Sequence, residues 1–178
     1  MDVTVKKQWL GGSYDGKLTV QLIGTCGTAS RTETIELSAA DHWSGTKTGL
    51  PVYSRVEGKL TEWTWTLVEE TPEGWKQTDL KTVDTVDQDG TLLRTYTLVN
   101  TRVTSISGRK YWQKPSSVPG SALPEITITL HIMKNGQEVT EGRRTQTINA
   151  GNGWTYEFED LPTQDTDGTP YAYEVTEP

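Results

Sequence analysis

Apolar and polar residues alternate along this chain in short runs, the pattern of half-buried strands and not of helices. Residues 3–9 place Val3, Val5, Lys7 and Trp9 on one face. After the Gly11-Gly12 and Asp15-Gly16 turns, residues 18–23 predict a second strand and residues 32–37 a third. Residues 45–51 read as a connection, and residues 60–69 as one long strand with Trp63, Trp65, Leu67 and Glu69 sharing a face. Thr71-Pro72-Glu73-Gly74 is turn chemistry. Another strand is expected over 78–86, turned by Asp87-Gln88-Asp89-Gly90, and residues 92–100 follow with Tyr96, Leu98 and Asn100 on one face.

The same order then begins again. Ile106-Ser107-Gly108-Arg109-Lys110-Tyr111-Trp112 parallels Val3-Thr4-Val5-Lys6-Lys7-Gln8-Trp9, and Trp154 with Leu161-Pro162 parallels Trp43 with Leu50-Pro51. Tyr173-Glu174-Val175-Thr176-Glu177 parallels Trp65-Thr66-Leu67-Val68-Glu69. Residues 126–132 match the second strand, Lys134-Asn135-Gly136-Gln137 is a strong hairpin turn, and strands are expected through 143–148, 156–161 and 171–177. Self-similarity on this scale predicts serial domains, 1–101 and 102–178. Nothing in the second copy corresponds to residues 92–100, so it is expected to lack a closing strand.

Composition adds to this picture. Hydrophobic residues make up 33% of the chain, and seven Trp and seven Tyr supply the core area that the few aliphatics do not. Many short strands with regular turns predict all-β, tandem antiparallel Greek-key sandwiches. The formal charge of -7, without a Lys/Arg cluster, argues against nucleic acid as a partner. No apolar run approaches the roughly 20 residues of a membrane span, so no membrane insertion is expected. No secretory leader precedes the first strand; if the protein is exported, this sequence is an excised piece. The one cysteine, Cys26, excludes an internal disulfide framework and reads as an inert strand-end thiol.

Lys7, Glu69 and Asn100 depart from the usual rule for half-buried strands, because each continues the inward parity of its strand; Lys110 and Glu177 do the same in the second copy. A Lys, a Glu and an Asn gathered in an apolar interior have one reaction open to them. Desolvation lowers the amine's pKa and raises the acid's. The neutral amine is then a nucleophile, and the protonated carboxyl polarises the amide and carries a proton to the leaving nitrogen. The product is a Lys–Asn isopeptide bond with release of one ammonia. No cofactor or metal is required.

These words in this order resemble the B-type repeat of collagen adhesins, the Cna protein B-type domain of Gram-positive surface proteins and pilins. The resemblance rests on Val5-Lys6-Lys7-Gln8-Trp9, on residues 104–112, on Trp154 with Phe158-Glu159-Asp160-Leu161-Pro162 and Asp167-Gly168, on Tyr173-Glu174-Val175-Thr176-Glu177 and on Val99-Asn100-Thr101. It implies a reverse immunoglobulin-like, transthyretin-like sandwich. It also implies a spontaneous bond between Lys7 and Asn100 with Glu69 as catalyst. In copy two it assigns Glu177 the catalyst's place and leaves Lys110 an orphan amine, with no Asn partner within residues 1–178. Trp9, Trp65, Tyr96, Trp112 and Tyr173 are expected as the apolar shell. The function implied is the stalk or spacer of a cell-wall-attached, extracellular adhesin or pilin, not a turnover enzyme.

Other chemistry is weaker. Exposed aromatics would suit an adhesin module holding a host matrix protein or glycan, the rival reading, although Trp9, Trp63, Trp65, Trp112, Trp154 and Tyr173 serve better as core. Asp84, Asp87 and Asp89 before Gly90, like Asp165 and Asp167, lack the full spacing of a calcium loop. His42 and His131 stand apart from any ligand cluster or nucleophile triad. The incomplete second copy is expected to expose an unpaired edge able to accept a strand from a neighbouring chain.

Overall fold

The computed structural model describes residues 1–178, which divide into two compact units, Met1–Thr101 and Arg102–Pro178. The first contains β1 (Asp2–Leu10), β2 (Leu18–Cys26), β3 (Ala29–Leu37), β4 (Ser44–Lys47), β5 (Tyr53–Val56), β6 (Lys59–Glu62), β7 (Thr64–Glu69) and β8 (Trp75–Val86). Strand β9 (Leu92–Arg109) contributes its first ten residues here and the rest to the second unit. The fold class is all-β, a Greek-key sandwich in each unit.

In the first unit one sheet is built on β1, which pairs with β4 on one side and β9 on the other, while β8 pairs with β9. The facing sheet runs β3-β2-β7. The alternation seen in the sequence sets the faces: Val3, Val5, Tyr96 and Leu98 of one sheet meet Leu18, Val20, Leu22, Ile35, Leu37 and Trp65 of the other in one buried cluster. The β1–β9 pairing is parallel, with Val5 opposite Tyr96, Lys7 opposite Leu98 and Trp9 opposite Asn100. Parallel neighbours need a long crossover, and here that crossover is the rest of the unit.

Two expectations are corrected. Residues 45–51 are not wholly a connection, because Ser44–Lys47 forms β4 against β1. Its signal is hidden since Gly45 stands at the packed position: a Cβ there would lie 2.6 Å from Ile35 and 3.0 Å from Leu37. Residues 60–69 are not one strand either. The run breaks at Trp63 into β6, which folds back on β5 through a turn with both Glu57 and Gly58 at positive φ, and β7, which pairs with β2. Leu60 is accordingly on the outside.

The second unit centres on β10 (Ile126–Lys134), flanked by β12 (Arg144–Ile148) and β14 (Tyr171–Thr176), with β11 (Gln137–Glu138) closing the Asn135-Gly136 hairpin. Residues 103–109 of β9 pair with β13 (Thr155–Pro162). Ile128, Leu130, Ile148, Trp154, Phe158 and Leu161 form its core. One cross-strand pair shows the two units solving the same packing problem oppositely. Val5 faces Gly45 in the first, whereas Gly108 faces Tyr156 in the second.

Candidate functional site

Each unit fixes its lysine by the same backbone device. In the first, a short turn of 3₁₀ helix ends at His42, and Trp43 takes a left-handed φ of 55°. Trp43 N–H donates to the Ser38 carbonyl at 2.9 Å, and the Trp43 carbonyl accepts from the Lys7 N–H at 2.8 Å. In the second, Trp154 has φ 61°, its N–H donates to Asn149 at 3.0 Å, and its carbonyl accepts from the Lys110 N–H at 2.8 Å. The repeated Trp therefore secures the backbone of the Lys.

The side-chain environments differ. Lys7 Nζ donates to Glu69 Oε2 at 2.9 Å, linking the two sheets across the core, and the side chains are 0% and 1% exposed. Burial pushes the Lys7 amine down to about 8, against the hydrogen bond and charge of Glu69, which raise it. The second carboxylate oxygen, Oε1, accepts from Thr71 Oγ1 at 2.9 Å. The Trp9 ring lies over the amine, 4.8 Å from Nζ to centroid.

Asn100 is 0% exposed, and among the described residues neither its Oδ1 nor its Nδ2 has a hydrogen-bond partner. It sits on the strand beside Lys7, two residues beyond the position directly opposite. Strand spacing and rise put their Cα atoms about 8 Å apart, a span two inward-pointing side chains can close. A buried amide with both ends unsatisfied costs roughly 1–3 kcal/mol per group and demands an explanation.

The shell contains more than the sequence indicated. Trp9 is boxed by Trp75 at 4.7 Å, Tyr14 at 4.8 Å and Trp43 at 5.1 Å between ring centroids. Trp75 and Tyr14 were not anticipated; the sign was an aromatic directly after the Gly74 turn, at the start of a strand read as beginning at residue 78. Tyr96 is buried opposite Val5. Trp65 is buried but closes the core further along, stacked on Trp63 with Nε1 donating to the Pro51 carbonyl.

In the second unit Lys110 Nζ donates to Glu177 Oε1 at 2.7 Å and lies 5.2 Å from the Trp112 centroid. Here the expected inward burial fails: the side chains are 27% and 45% exposed, beside an open cavity of about 200 Å³ lined by Ile128, Tyr156 and Val175. Lys110 lies just past the end of β9, and Glu177 just past β14. Tyr173 donates to the Pro162 carbonyl, and burial raises its phenol to about 12. The Asn149 and Asn152 side chains of this unit are engaged in a reciprocal helix cap, and Asn135 lies in the β10–β11 turn with φ 52°.

The remaining candidates are structural. Cys26 is a buried strand end whose Sγ–H donates to the Thr61 carbonyl at 3.5 Å. Asp84 is held by Arg94 through two 2.8 Å bonds, and Asp87 caps its own turn. Asp165 and Asp167 hold Lys134. Among the described residues no three His, Cys, Asp or Glu gather to hold a metal. His131 lies outside any such group but has partners on both ring nitrogens. Its Nδ1 meets Glu138 at 2.6 Å and its Nε2 meets Thr176 Oγ1 at 2.8 Å, a chain of polar groups on the outer face of the sheet.

The family model described as Cna protein B-type domain matches residues 3–101 and again residues 106–178. The chain belongs to the Cna protein B-type domain family. Among solved structures it is similar to two B repeat units of the collagen binding protein Cna of Staphylococcus aureus, at 25% identity and a TM-score of 0.38 over 99% of this chain and 44% of that one. It is also similar to the pilus adhesin SpaC of Lactobacillus rhamnosus GG (18% identity, TM-score 0.38, 99% of this chain and 20% of that one). The shaft pilin spaA of the same organism aligns at 12% identity and a TM-score of 0.36, over 99% of this chain and 86% of that one. The chain thus spans under half the length of the Cna fragment. No curated protein matches it.

Proposed function

We propose that this chain is a stalk or spacer segment of an extracellular, wall-attached bacterial adhesin or pilin, and that its first unit cross-links itself between Lys7 and Asn100. The observation that carries this is the fully buried, unpartnered Asn100 amide on the strand beside a fully buried Lys7–Glu69 pair. A water-exposed lysine would stay protonated; this one is held near 8 by its surroundings.

The steps balance within the site. Proton transfer along the 2.9 Å bond leaves a neutral amine and a neutral carboxyl. Lys7 Nζ attacks Asn100 Cγ, while Glu69 donates to the amide oxygen and takes a proton from the attacking nitrogen. The carboxyl then passes that proton to Nδ2, which departs as ammonia as the C–Nδ2 bond breaks, and the resulting carboxylate takes back the hydroxyl proton as the carbonyl re-forms. Strands fixed side by side supply an effective molarity of roughly 10⁵ M or more, so no external enzyme is needed. Each chain reacts once.

The parallel β1–β9 pairing supports the mechanical reading. Tension entering at Asp2 and leaving at Thr101 pulls neighbouring parallel strands in shear. A bond from Lys7 to Asn100 would route the force through a few residues at the strand ends and leave the sandwich unloaded. The rival adhesin reading has less support: Trp65, Trp75 and Trp154 are buried, and the well-exposed aromatic residues are Tyr53 and Tyr111, each in its own unit. Intact-mass measurement tests the proposal. The full chain is expected to be one ammonia lighter than its sequence, with the loss abolished in Lys7→Ala, Asn100→Ala and Glu69→Ala. A wild-type mass equal to the sequence mass overturns it.

A further inference from the structure

We infer that Thr71 is a positioning residue for this cross-linking step, fixing the Glu69 carboxyl so that Oε2 is presented to Lys7; the inference rests on the self-cross-linking proposed above. Glu69 carries one side-chain partner on each oxygen, Lys7 Nζ on Oε2 and Thr71 Oγ1 on Oε1, both at 2.9 Å. A carboxyl at the end of a Glu side chain turns about a broad, two-fold torsion, and a single contact does not hold it. A second anchor on the opposite oxygen does.

The local sequence explains why Thr71 is in place. Glu69 is the last residue of β7, and in an extended chain residue 71 returns to the same side. Pro72 disfavours the helical region for Thr71 and so keeps it extended. The turn is closed by the Trp75 N–H donating to the Pro72 carbonyl at 3.2 Å, with Gly74 at φ 83°. Its far end is buried: Trp75 stands edge-on to Trp9 at 4.7 Å, and Trp9 covers the Lys7 amine. One short turn therefore touches the site from two sides, through a hydroxyl on the carboxyl and a ring on the ring above the amine. The carboxyl must accept a proton from the amine and return it to the amide, so its orientation enters the rate. Its loss leaves the reacting atoms and the burial of Lys7 in place.

The test follows ammonia loss in time. Full-length chain is made by cell-free translation, the synthesis is stopped, and samples held at pH 6 are read by intact mass. At that pH most Lys7 amines are protonated, which makes chemistry and not folding the slow step. Thr71→Val is expected to lose ammonia about 10-fold more slowly than wild type while reaching the same end point, and Thr71→Ser to restore the rate. Thr71 is exposed, so the same Val substitution placed in the non-reacting Asn100→Leu chain is expected to leave the melting temperature unchanged. Equal rates for Val and wild type, a Ser variant as slow as Val, or a lowered melting temperature in the Asn100→Leu chain would overturn the positioning role. A wild-type chain that never loses ammonia overturns the cross-link itself, a separate outcome.

Discussion

Replacing Asn100 by Leu separates a bonded from an unbonded first unit by the sign of the stability change. Leu has nearly the shape of Asn, and it leaves the Lys7–Glu69 pair intact. A bond from Lys7 to Asn100 closes a loop of roughly 94 residues, for which the chain-entropy relation gives about 4.7 kcal/mol. Loss of that constraint is partly offset by burying an apolar side chain, about 1–2 kcal/mol. The net loss is about 3 kcal/mol. With an unfolding entropy of roughly 2.1 cal/mol/K per residue, a unit of this size melts about 15 °C lower. Without the bond, wild type buries an amide with two unsatisfied ends, each costing roughly 1–3 kcal/mol, and the Leu variant melts higher. Calorimetry of the two full chains, with masses measured on the same samples, decides. An Asn100→Leu transition at or above the wild-type temperature refutes the reasoning.

Further outcomes follow from the geometry. In the Asn100→Leu chain Lys7 stays a free amine whose folded pKa of about 8 lies below the unfolded 10.5. Between those values the unfolded chain binds more protons, so stability rises with pH; relative to an Asn100→Leu/Lys7→Met chain the gain from pH 8 to 10 is expected to be roughly 2–3 kcal/mol by urea denaturation. A flat difference would show that the amine is not desolvated. Gly45→Val drives side-chain atoms into Ile35 and Leu37 and is expected to cost about 1–3 kcal/mol, read from the denaturation midpoint. Lys110→Ala breaks a pair that water already reaches, so its cost is expected below about 1 kcal/mol and the mass deficit stays at one ammonia. A second ammonia lost in wild type and retained in Lys110→Ala would reverse that assignment.

Much of the site was legible because it violates a pattern. The strict alternation of β1 makes Lys7 conspicuous at a position that should be apolar, and the same parity marks Glu69 and Asn100. The Asn135-Gly136 hairpin was readable from two residues that accept left-handed φ. What escaped was set by tertiary packing. Strand β4, Ser44-Gly45-Thr46-Lys47, has no apolar alternation, and it is a strand because β1 offers an edge and because Gly45 clears Ile35 and Leu37. The break at Trp63 was hidden by an apparently continuous run of alternating aromatics. Thr71 reads as part of a turn, and Trp75 falls between that turn and a strand expected from residue 78, since a turn signal says where the chain bends and not what the bend brings back to the core.

If the first unit cross-links as proposed, comparison of the two units makes burial, and not the presence of a lysine and a glutamate, the feature that sets it apart. Lys110 and Glu177 are hydrogen-bonded at 2.7 Å, shorter than the 2.9 Å of Lys7 and Glu69, and both amines sit near a Trp ring on a backbone clamped by a second Trp. By contact geometry alone the second pair is the stronger. Yet it is part-exposed, so water competes for both partners and screens the pair. In the first unit β9 lays Leu98 and Asn100 alongside Lys7, and the turn before β8 brings Trp75 onto Trp9. On the proposed cross-link, the strand that delivers the electrophile would also be the one that covers the nucleophile. The proposed reaction would thereby be coupled to folding: before β9 docks, Lys7 lacks both its cover and its partner, and docking would bring the amine and the amide together in the same event. The coupling has a measurable consequence. A variant that loosens β9 without touching the three reacting residues, such as Leu98→Ala at the position opposite Lys7, is expected to slow ammonia loss in proportion to the population it undocks. Hydrogen exchange of β9 and the rate of mass change, followed on the same sample, should then move together. If exchange quickens while ammonia loss keeps its pace, the gating by β9 is refuted.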